Sequence, residues 1–531
     1  MPWRFYRYML ADVLRQFATT TLILVVVIAF GAAIKPLSSG SLISGWDTMK
    51  YLALAMVPML QFALPFAAAF AVTISLHRMA QDNEFVAMSV SGQSYLRLLA
   101  PMCVFGITLT ITVAILTQSI IPTFIGRMAD AMTSDLPRLL ANSIKQHTPF
   151  VQGDLIIWAE DIYLDSKSDD ERMALDHVAV AKIDENSRAK MYLTASAALV
   201  DVQRMNNQTS MYVGTRDATQ WTRGEGNAGI LRGAREGRLT HAIELQSMSN
   251  RRPSSLTRSE LLHLRTEPDK YPRVANAAID LRSVMNRLNF LEVLHQKFNE
   301  TNSITCVTLP GGRKFVIQAK AMRNGTFVPP ITVESIRGTG DSSILVPNSA
   351  KFIVDQLENG DVDSVTLQMN DVVVGFGEVG ENVRGELVVP SCRVDQVTPE
   401  NIDEEDYRNL LLIADQITNK TVQRASARLK ASVVAMHSTI SGRIGQRWAV
   451  SFLPLLVILL GSLLAIRFAN EMPLSVYAKV FVPAVIALLL IFSGGQMVRD
   501  ERDLSGFLVM WSGNVGLLAL VLFHWSKVRL T

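Results

Sequence analysis

The sequence predicts a membrane α-helical bundle of six transmembrane helices, arranged three and three. A large extracytoplasmic β-rich domain, jelly-roll-like, is inserted between helices 3 and 4. Three observations predict this. Of 531 residues, 49% are hydrophobic and 19% charged, and the mean hydropathy is +0.22, a lower charge content than soluble domains carry. The apolar residues concentrate in about the first 125 and last 85 positions. The stretch between them alternates apolar and polar residues in short runs, the pattern of strands.

A span needs about twenty apolar residues. Six stretches qualify: Phe17 to Ile34, Tyr51 to Leu76, Leu98 to Ile121, Trp448 to Ile466, Val480 to Val498, and Leu504 to Trp525. Pro58, Pro65, Pro101, Pro454 and Pro483 fall inside them, and spanning helices tolerate proline where neighbours satisfy the freed carbonyls. The first run is long and lacks a small-residue cleavage site, so it is expected to stay as an anchor. Residues 1–125 thus hold helices 1–3, with a cytoplasmic coupling helix at about 78–95. Residues 126–440 form the periplasmic domain, with room for two subdomains and a helical insert at about 273–299. Residues 441–531 hold helices 4–6.

Orientation follows from the basic residues. Arg4, Arg7 and Arg15 precede the first span, Arg78 and Arg97 flank the loop after the second, and Arg467 and Lys479 join the fourth and fifth. Lys527 and Arg529 follow the sixth. All lie on one side if both termini are cytoplasmic. The opposite loops hold Lys35, Lys50, Arg499 and Arg502, the last two interleaved with Asp500, Glu501 and Asp503. The net charge of +3 therefore reports orientation rather than nucleic-acid binding.

In the insert, DLIIWAEDIYL, KMYLTASAALVDVQ and TSMYVGTRDATQW read as antiparallel strands. Arg273 to Asn299 switches to helical spacing, strands return in KFVIQAKAM, SVTLQM, DVVVGFGEV and GELVVP, and Glu404 to Ile440 reads as a long polar helix. Cys306 and Cys392 in this region are either a pair in an oxidising compartment or two small apolar residues. Asn207, Asn299, Asn324 and Asn419 begin N-x-[ST] triplets, which arise by chance in a polar domain.

Enzyme signatures are missing. There is no G-x-x-x-x-G-K-[ST] phosphate loop, no H-E-x-x-H, no C-x-x-C and no G-x-S-x-G, and the span cores hold few ionisable residues. No cofactor is expected, and any ATP would be used by a partner subunit.

Two sets of charged residues remain. After the second span, Asp82, Asn83 and Glu84 crowd the start of a short amphipathic segment, and Ser91, Gly92 and Ser94 supply the turn that follows. Glu84 there is either a favourable charge at a helix start or the contact for a basic residue on a partner ATPase. At the outer span mouths stand Lys35, Lys50, Arg443 and Arg447. These either snorkel to headgroups or form a basic rim that meets phosphate or carboxylate on an amphiphilic cargo.

The order of these features resembles the LptF/LptG permeases of the lipopolysaccharide exporter. WRFYRYMLADVLRQF is similar to that family's N-terminal interfacial segment. SLHRMAQDNEFVAMSVSGQS resembles its coupling-helix motif, with Arg78, Asp82, Glu84 and Gly92 in place, and FLVMWSGNVGLLAL, with Trp511 and Asn514, resembles its W-x-x-N span start. The resemblance implies a permease that extracts lipopolysaccharide or a related glycolipid laterally from the inner membrane. It further implies a cytoplasmic ATPase dimer, a second LptF/LptG-type permease, and a periplasmic LptC/LptA-like bridge that receives the cargo. Lys35 matches the family's basic residue near the outer end of the first span. The insert exceeds one jelly roll, and its material around Arg273 to Pro390 has no role in the resemblance. Two other classes fit parts of the sequence: a mechanotransmission-type ABC membrane subunit, usually with four spans, and a membrane-anchored periplasmic scaffold.

Overall fold

A computed structural model describes residues 2–528, apart from 39–44, 92, 135, 146, 153–154, 166–170, 184–188, 206–207, 224–228, 234–238, 242–252, 309–311, 337–341, 357–359, 377–378, 396, 398–399, 403–405 and 501–502. It divides into two compact units, Met1–Leu262 with Ser438–Thr531, and His263–His437.

The first unit opens with α1 (Pro2–Ser38), α2 (Gly45–Gln81), the two-turn α3 (Glu84–Val90) and α4 (Tyr95–Ile115). A single π-helical turn, Leu116–Ile120, carries α4 into α5 (Ile121–Ser134), and α6 (Leu136–Lys145) follows. After the middle of the chain come α10 (Lys420–Arg467), α11 (Pro473–Arg499) and α12 (Asp503–Val528). Six segments are long and apolar enough to cross a membrane: Trp3–Gly31, Leu52–Gln81, Arg97–Arg127, Lys420–Arg467, Pro473–Arg499 and Leu504–Lys527. Each span expected from the sequence overlaps one of these segments over most of its length.

Proline shapes one contact directly. Pro101 has no N–H to offer the carbonyl four residues before it, that of Arg97. Tyr6 of α1 satisfies that oxygen, its hydroxyl donating at 2.9 Å. The proline that weakens α4 internally thus ties it to α1, and Phe17 against Phe105 (5.5 Å, 80°) repeats the contact deeper in the pair. Across α2 and α11, Phe66 meets Phe481 and Phe70 meets Tyr477.

The β-rich part of this unit is a nine-stranded antiparallel sheet in the order β1-β2-β4-β5-β6-β9, with β3 on β4, β7 on β5 and β8 on β7. Its strands are β1 (Phe150–Gln152), β2 (Leu155–Trp158), β3 (Asp161–Asp165), β4 (Glu171–Ile183), β5 (Ala189–Met205), β6 (Gln208–Arg216), β7 (Thr219–Arg223), β8 (Gly229–Gly233) and β9 (Leu239–His241). The two long strands change partners midway. β4 pairs with β3 up to Asp176 and with β2 from Ala179, and β5 pairs with β7 through Thr194 and with β6 from Ala197. At the break His177 adopts φ +46° and shifts the alternation by one residue. Met173 and Leu175 are buried before it, Val178 and Val180 after it, and on β5 Leu193 and Ala195 give way to Ala198 and Val200. One face therefore stays inside as the sheet bends, and Leu140 and Ile144 of α6 join its core.

The second unit begins within α7 (Arg258–Thr266), then holds α8 (Pro272–Thr301) and six strands closed into an antiparallel barrel. These are β10 (Ser303–Thr308), β11 (Lys314–Arg323), β12 (Thr326–Ile336), β13 (Ser342–Gln356), β14 (Val362–Phe376) and β15 (Val379–Val394). The β-rich insert is thus one bent sheet and one separate barrel rather than a single jelly roll. Phe290, Leu294 and Phe298, four residues apart on α8, close the barrel core with Phe327 and Phe352. Cys306 and Cys392 are buried inside it and are not joined as a disulfide. Register pairs Cys306 with Val394 and Thr308 with Cys392, so the two cysteines are diagonal neighbours on adjacent strands, with their thiols in contact. The contact with Cys392 and then burial push the Cys306 thiol upward. The long polar helix expected before the fourth span is interrupted. α9 (Tyr407–Gln416) is capped by Asp406, whose carboxylate accepts from Arg408 N, and α10 restarts where Asn419 Oδ1 accepts from Thr421 N at 2.8 Å.

Asn286 of α8, 1% exposed, fastens the loops around this barrel. Its Nδ2 donates to Gly360 O at 3.1 Å, and its Oδ1 accepts from Ile402 N at 2.9 Å. Asn286→Leu is expected to destabilise the unit by about 2 kcal/mol, because Ile402 N loses its acceptor and Gly360 O keeps only Gln356 Nε2, at 3.3 Å. Denaturant unfolding of the full chain, followed by proteolysis of 263–437, measures it; an unchanged midpoint refutes the fastening role.

Candidate functional site

Two clusters of functional side chains lie at the two ends of the Gln61–Gln81 stretch of α2. From Gln61 to Gln81 the helix rises about 30 Å at 1.5 Å per residue, close to the thickness of a hydrocarbon core.

At the Gln81 end the chain turns through Asp82 and Asn83. Asn83 takes the left-handed conformation, φ +56°, which a short amide side chain tolerates, and α3 begins at Glu84. Phe85 is 2% exposed and meets Phe5 of α1 edge-on at 6.2 Å, which fixes the roll of this short helix. The opposite face is bare: Val86 is 51% and Val90 84% exposed. Arg78, expected at the coupling contact, is engaged within the chain, donating to Asp12 of α1 at 2.9 Å. It therefore frames the turn by holding α2 to α1. Asp82 is exposed in the turn, and Gly92 lies outside the described residues. Glu84 has one carboxylate oxygen buried without a hydrogen-bond partner. Burial, then the neighbouring Asp82 charge, hold its carboxyl above the usual glutamate range against the opposing pull of Arg78.

At the Gln61 end a cavity of about 90 Å³ is lined by Gln61, Thr117, Ser254, Arg443, Gln446 and Arg447 with apolar neighbours. Arg443, Gln446 and Arg447 occupy one face of α10 by their spacing of three and four. Arg447 donates through Nη2 to Leu256 O at 2.8 Å and Ser254 O at 3.3 Å, while its Nη1 and Arg443 Nε are buried without partners. Arg499 of α11 completes the group. Its Nη1 donates to Gln446 Oε1 at 3.2 Å and its Nη2 to Gln496 Oε1 at 2.6 Å. The π-helical turn of the third span brings Thr117 to 3.2 Å from Ser451 of α10, at the same level. π-turns of this kind often mark functional positions.

Among the described residues no carboxylate forms an ion pair with these three arginines, although Asp500 stands beside Arg499 in sequence. Buried cations without counter-charge are costly in a membrane, and an anion entering the cavity would offset that cost. Arg443 and Arg447 line the same cavity. Arg499, Gln61, Thr117 and Gln446 were not anticipated; the Arg-x-x-Gln-Arg spacing is the sequence signal for one of them. Lys35 and Lys50 lie on α1 and α2, but their side chains are outside the described residues. Asn514, from the W-x-x-N start, has a structural part: its Nδ2 donates to Ala449 O of α10 at 2.9 Å.

Two blocks of three spanning helices around folded domains, with a bare apolar helix at one membrane face and a cationic cavity at the other, define a polytopic membrane protein of the transport type. The family described as lipopolysaccharide export system permease LptF/LptG matches residues 7–301, more than half of the 531, and the chain belongs to it. It is accordingly an inner-membrane, multi-pass protein of a transport-permease family. The matched residues include the first three spans and the nine-stranded sheet; the barrel and the last three spans lie beyond them. No curated protein matches the chain.

Proposed function

We propose that the chain is the permease subunit of an ABC-type exporter that extracts lipopolysaccharide or a related phosphorylated glycolipid from the inner membrane. A separate cytoplasmic ATPase dimer drives it, a second permease of the family pairs with it, and a periplasmic LptC/LptA-like bridge receives the cargo. Both termini are cytoplasmic in this reading, and the middle domains periplasmic. The cargo phosphates meet Arg443, Arg447 and Arg499, with Lys35 and Lys50 on the same side.

The observation that carries the proposal is α3. A helix of seven residues has little stability of its own, yet it is pinned through Phe85 and Arg78 while it leaves Val86 and Val90 bare. Glu84 sits beside that apolar face. Such a surface suits a protein partner with an apolar groove and a cation opposite Glu84.

The paired substitution Val86→Asp and Val90→Asp is expected to lower co-purification of the ATPase from native membranes by at least about tenfold, the loss of roughly 1.4 kcal/mol or more. Glu84→Ala is expected to cost about 1 kcal/mol, in line with a partly exposed charge pair. Unchanged ATPase retention in the paired variant, with the permease still folded, would sink the docking assignment.

A further inference from the structure

A groove of about 800 Å³ runs between α1 and α4, distinct from the arginine cavity and next to the contacts that brace α3. Its α1 wall is Trp3, Arg7, Leu10, Leu14 and Phe17, spaced by three and four residues and so a single helix face. Val104 and Thr108 stand on the facing wall, and Leu64 of α2 lines it too. The Thr108 hydroxyl donates to Val104 O of its own helix at 2.9 Å, which leaves that wall without a free donor there.

The groove has a polar end and a definite depth. From Arg7 to Phe17 the helix rises about 15 Å, half of a hydrocarbon core of about 30 Å. The groove therefore matches one leaflet. Trp3 and Tyr6 mark its mouth as interfacial. Arg7 is exposed there and makes no ion pair among the described residues, whereas Asp12 on the same helix is taken by Arg78. A spanning helix of a partner protein would need contact across both leaflets and no cation at one end. An apolar slot of one-leaflet depth with a free guanidinium at its mouth fits a lipid.

We propose that this groove binds one anionic phospholipid of the leaflet that holds Trp3, with its acyl chains along Leu10, Leu14 and Val104 and its phosphate at Arg7. The lipid ties α1 to α4 beside the contacts that brace α3, the Tyr6–Arg97 hydrogen bond and the Phe5–Phe85 pair. Any effect on the ATPase rests on the docking reading above; lipid binding itself does not.

The test uses the full-length protein, delipidated in mild detergent and then incubated with phosphatidylglycerol, phosphatidylcholine or bisphosphorylated lipid A. Native mass spectrometry counts the adducts. Wild type is expected to retain one phosphatidylglycerol about fivefold more tightly than phosphatidylcholine, the selectivity of one arginine at a membrane surface. Arg7→Gln removes that preference. Leu14→Trp, which fills the groove, lowers retention of both phospholipids, and Leu22→Trp, farther along α1, does not. Thr108→Phe, on the facing wall, gives the same loss as Leu14→Trp and replaces it should that variant fail to fold. Equal retention of the two phospholipids by wild type, or undiminished retention in the groove-filling variants, overturns the proposal. So does displacement of phosphatidylglycerol by an equal amount of lipid A, which would make the groove a cargo site.

Discussion

Gly494→Val is expected to separate α11 from α12 and to abolish accumulation of folded protein, a loss above about 3 kcal/mol. A Cβ at this position would lie 2.3 Å from the Met510 amide nitrogen, 2.6 Å from its Cα and 2.7 Å from Gly506 O. All three are backbone atoms, so relief requires a helix to move rather than a side chain to turn. The contact recurs along the pair: a Cβ on Gly513 would lie 2.7 Å from Ala487 Cα, and one on Gly506 would lie 2.6 Å from Val498 N. Small residues here allow the close backbone approach that holds helices together in lipid. Gly31→Val is the matched control, since nothing lies within 4 Å of the added carbon. Thermal unfolding in detergent reads both variants, and a Gly494→Val protein that melts with wild type would show the hairpin to be looser than this packing.

Arg443→Met is expected to move binding and stability in opposite directions. Truncating one partner of a buried charge contact costs about 2–5 kcal/mol of affinity, so binding of a phosphorylated glycolipid should fall at least about tenfold. Replacing a half-buried cation that makes no ion pair among the described residues by an apolar side chain removes its desolvation cost, so stability is expected to hold or rise. Arg443 suits this test because its Nε has no partner, whereas Arg447 also holds Ser254 O and Leu256 O. Photo-crosslinking to the glycolipid and thermal unfolding are measured on the same preparation. A joint fall would make Arg443 a structural residue, and unchanged crosslinking would remove it from the lipid path.

The six spans were legible because hydrocarbon imposes length and apolarity on a helix whatever it packs against. The bend of the nine-stranded sheet was also written locally. In MALDHVAV the apolar alternation slips by one residue at Asp176–His177, where β4 changes partners. Asn324–Gly325 carried a turn signal as well. With φ +49° and +76° it forms the two-residue connection between β11 and β12 that Asn-Gly favours, which gives Asn324 a definite place that chance occurrence of its triplet did not. The closed barrel was not legible, since closure depends on β10 meeting β15 across more than eighty intervening residues. Arg499 was hidden for a similar reason. Its acidic sequence neighbours suggested a solvated loop, and only the folding of α11 against α10 brings it to Gln446. Arg78 shows the reverse case, a cation in the last turn of α2 whose partner, Asp12, lies in the first helix.

The seam of the barrel bears on how such a chain can change over evolutionary time. β10 and β15 are adjacent strands, with Thr308 opposite Cys392 and Asp395 N bonded to Thr305 O at 2.8 Å, so the polypeptide enters and leaves this module side by side. Neighbouring strands lie about 5 Å apart. A host chain can therefore gain or lose the whole module at one surface point, with little adjustment to the flanking helices. The family match stops at residue 301, two residues before the first barrel strand begins at Ser303. Any such exchange has to carry α8 as well, since its Phe290, Leu294 and Phe298 close the barrel core.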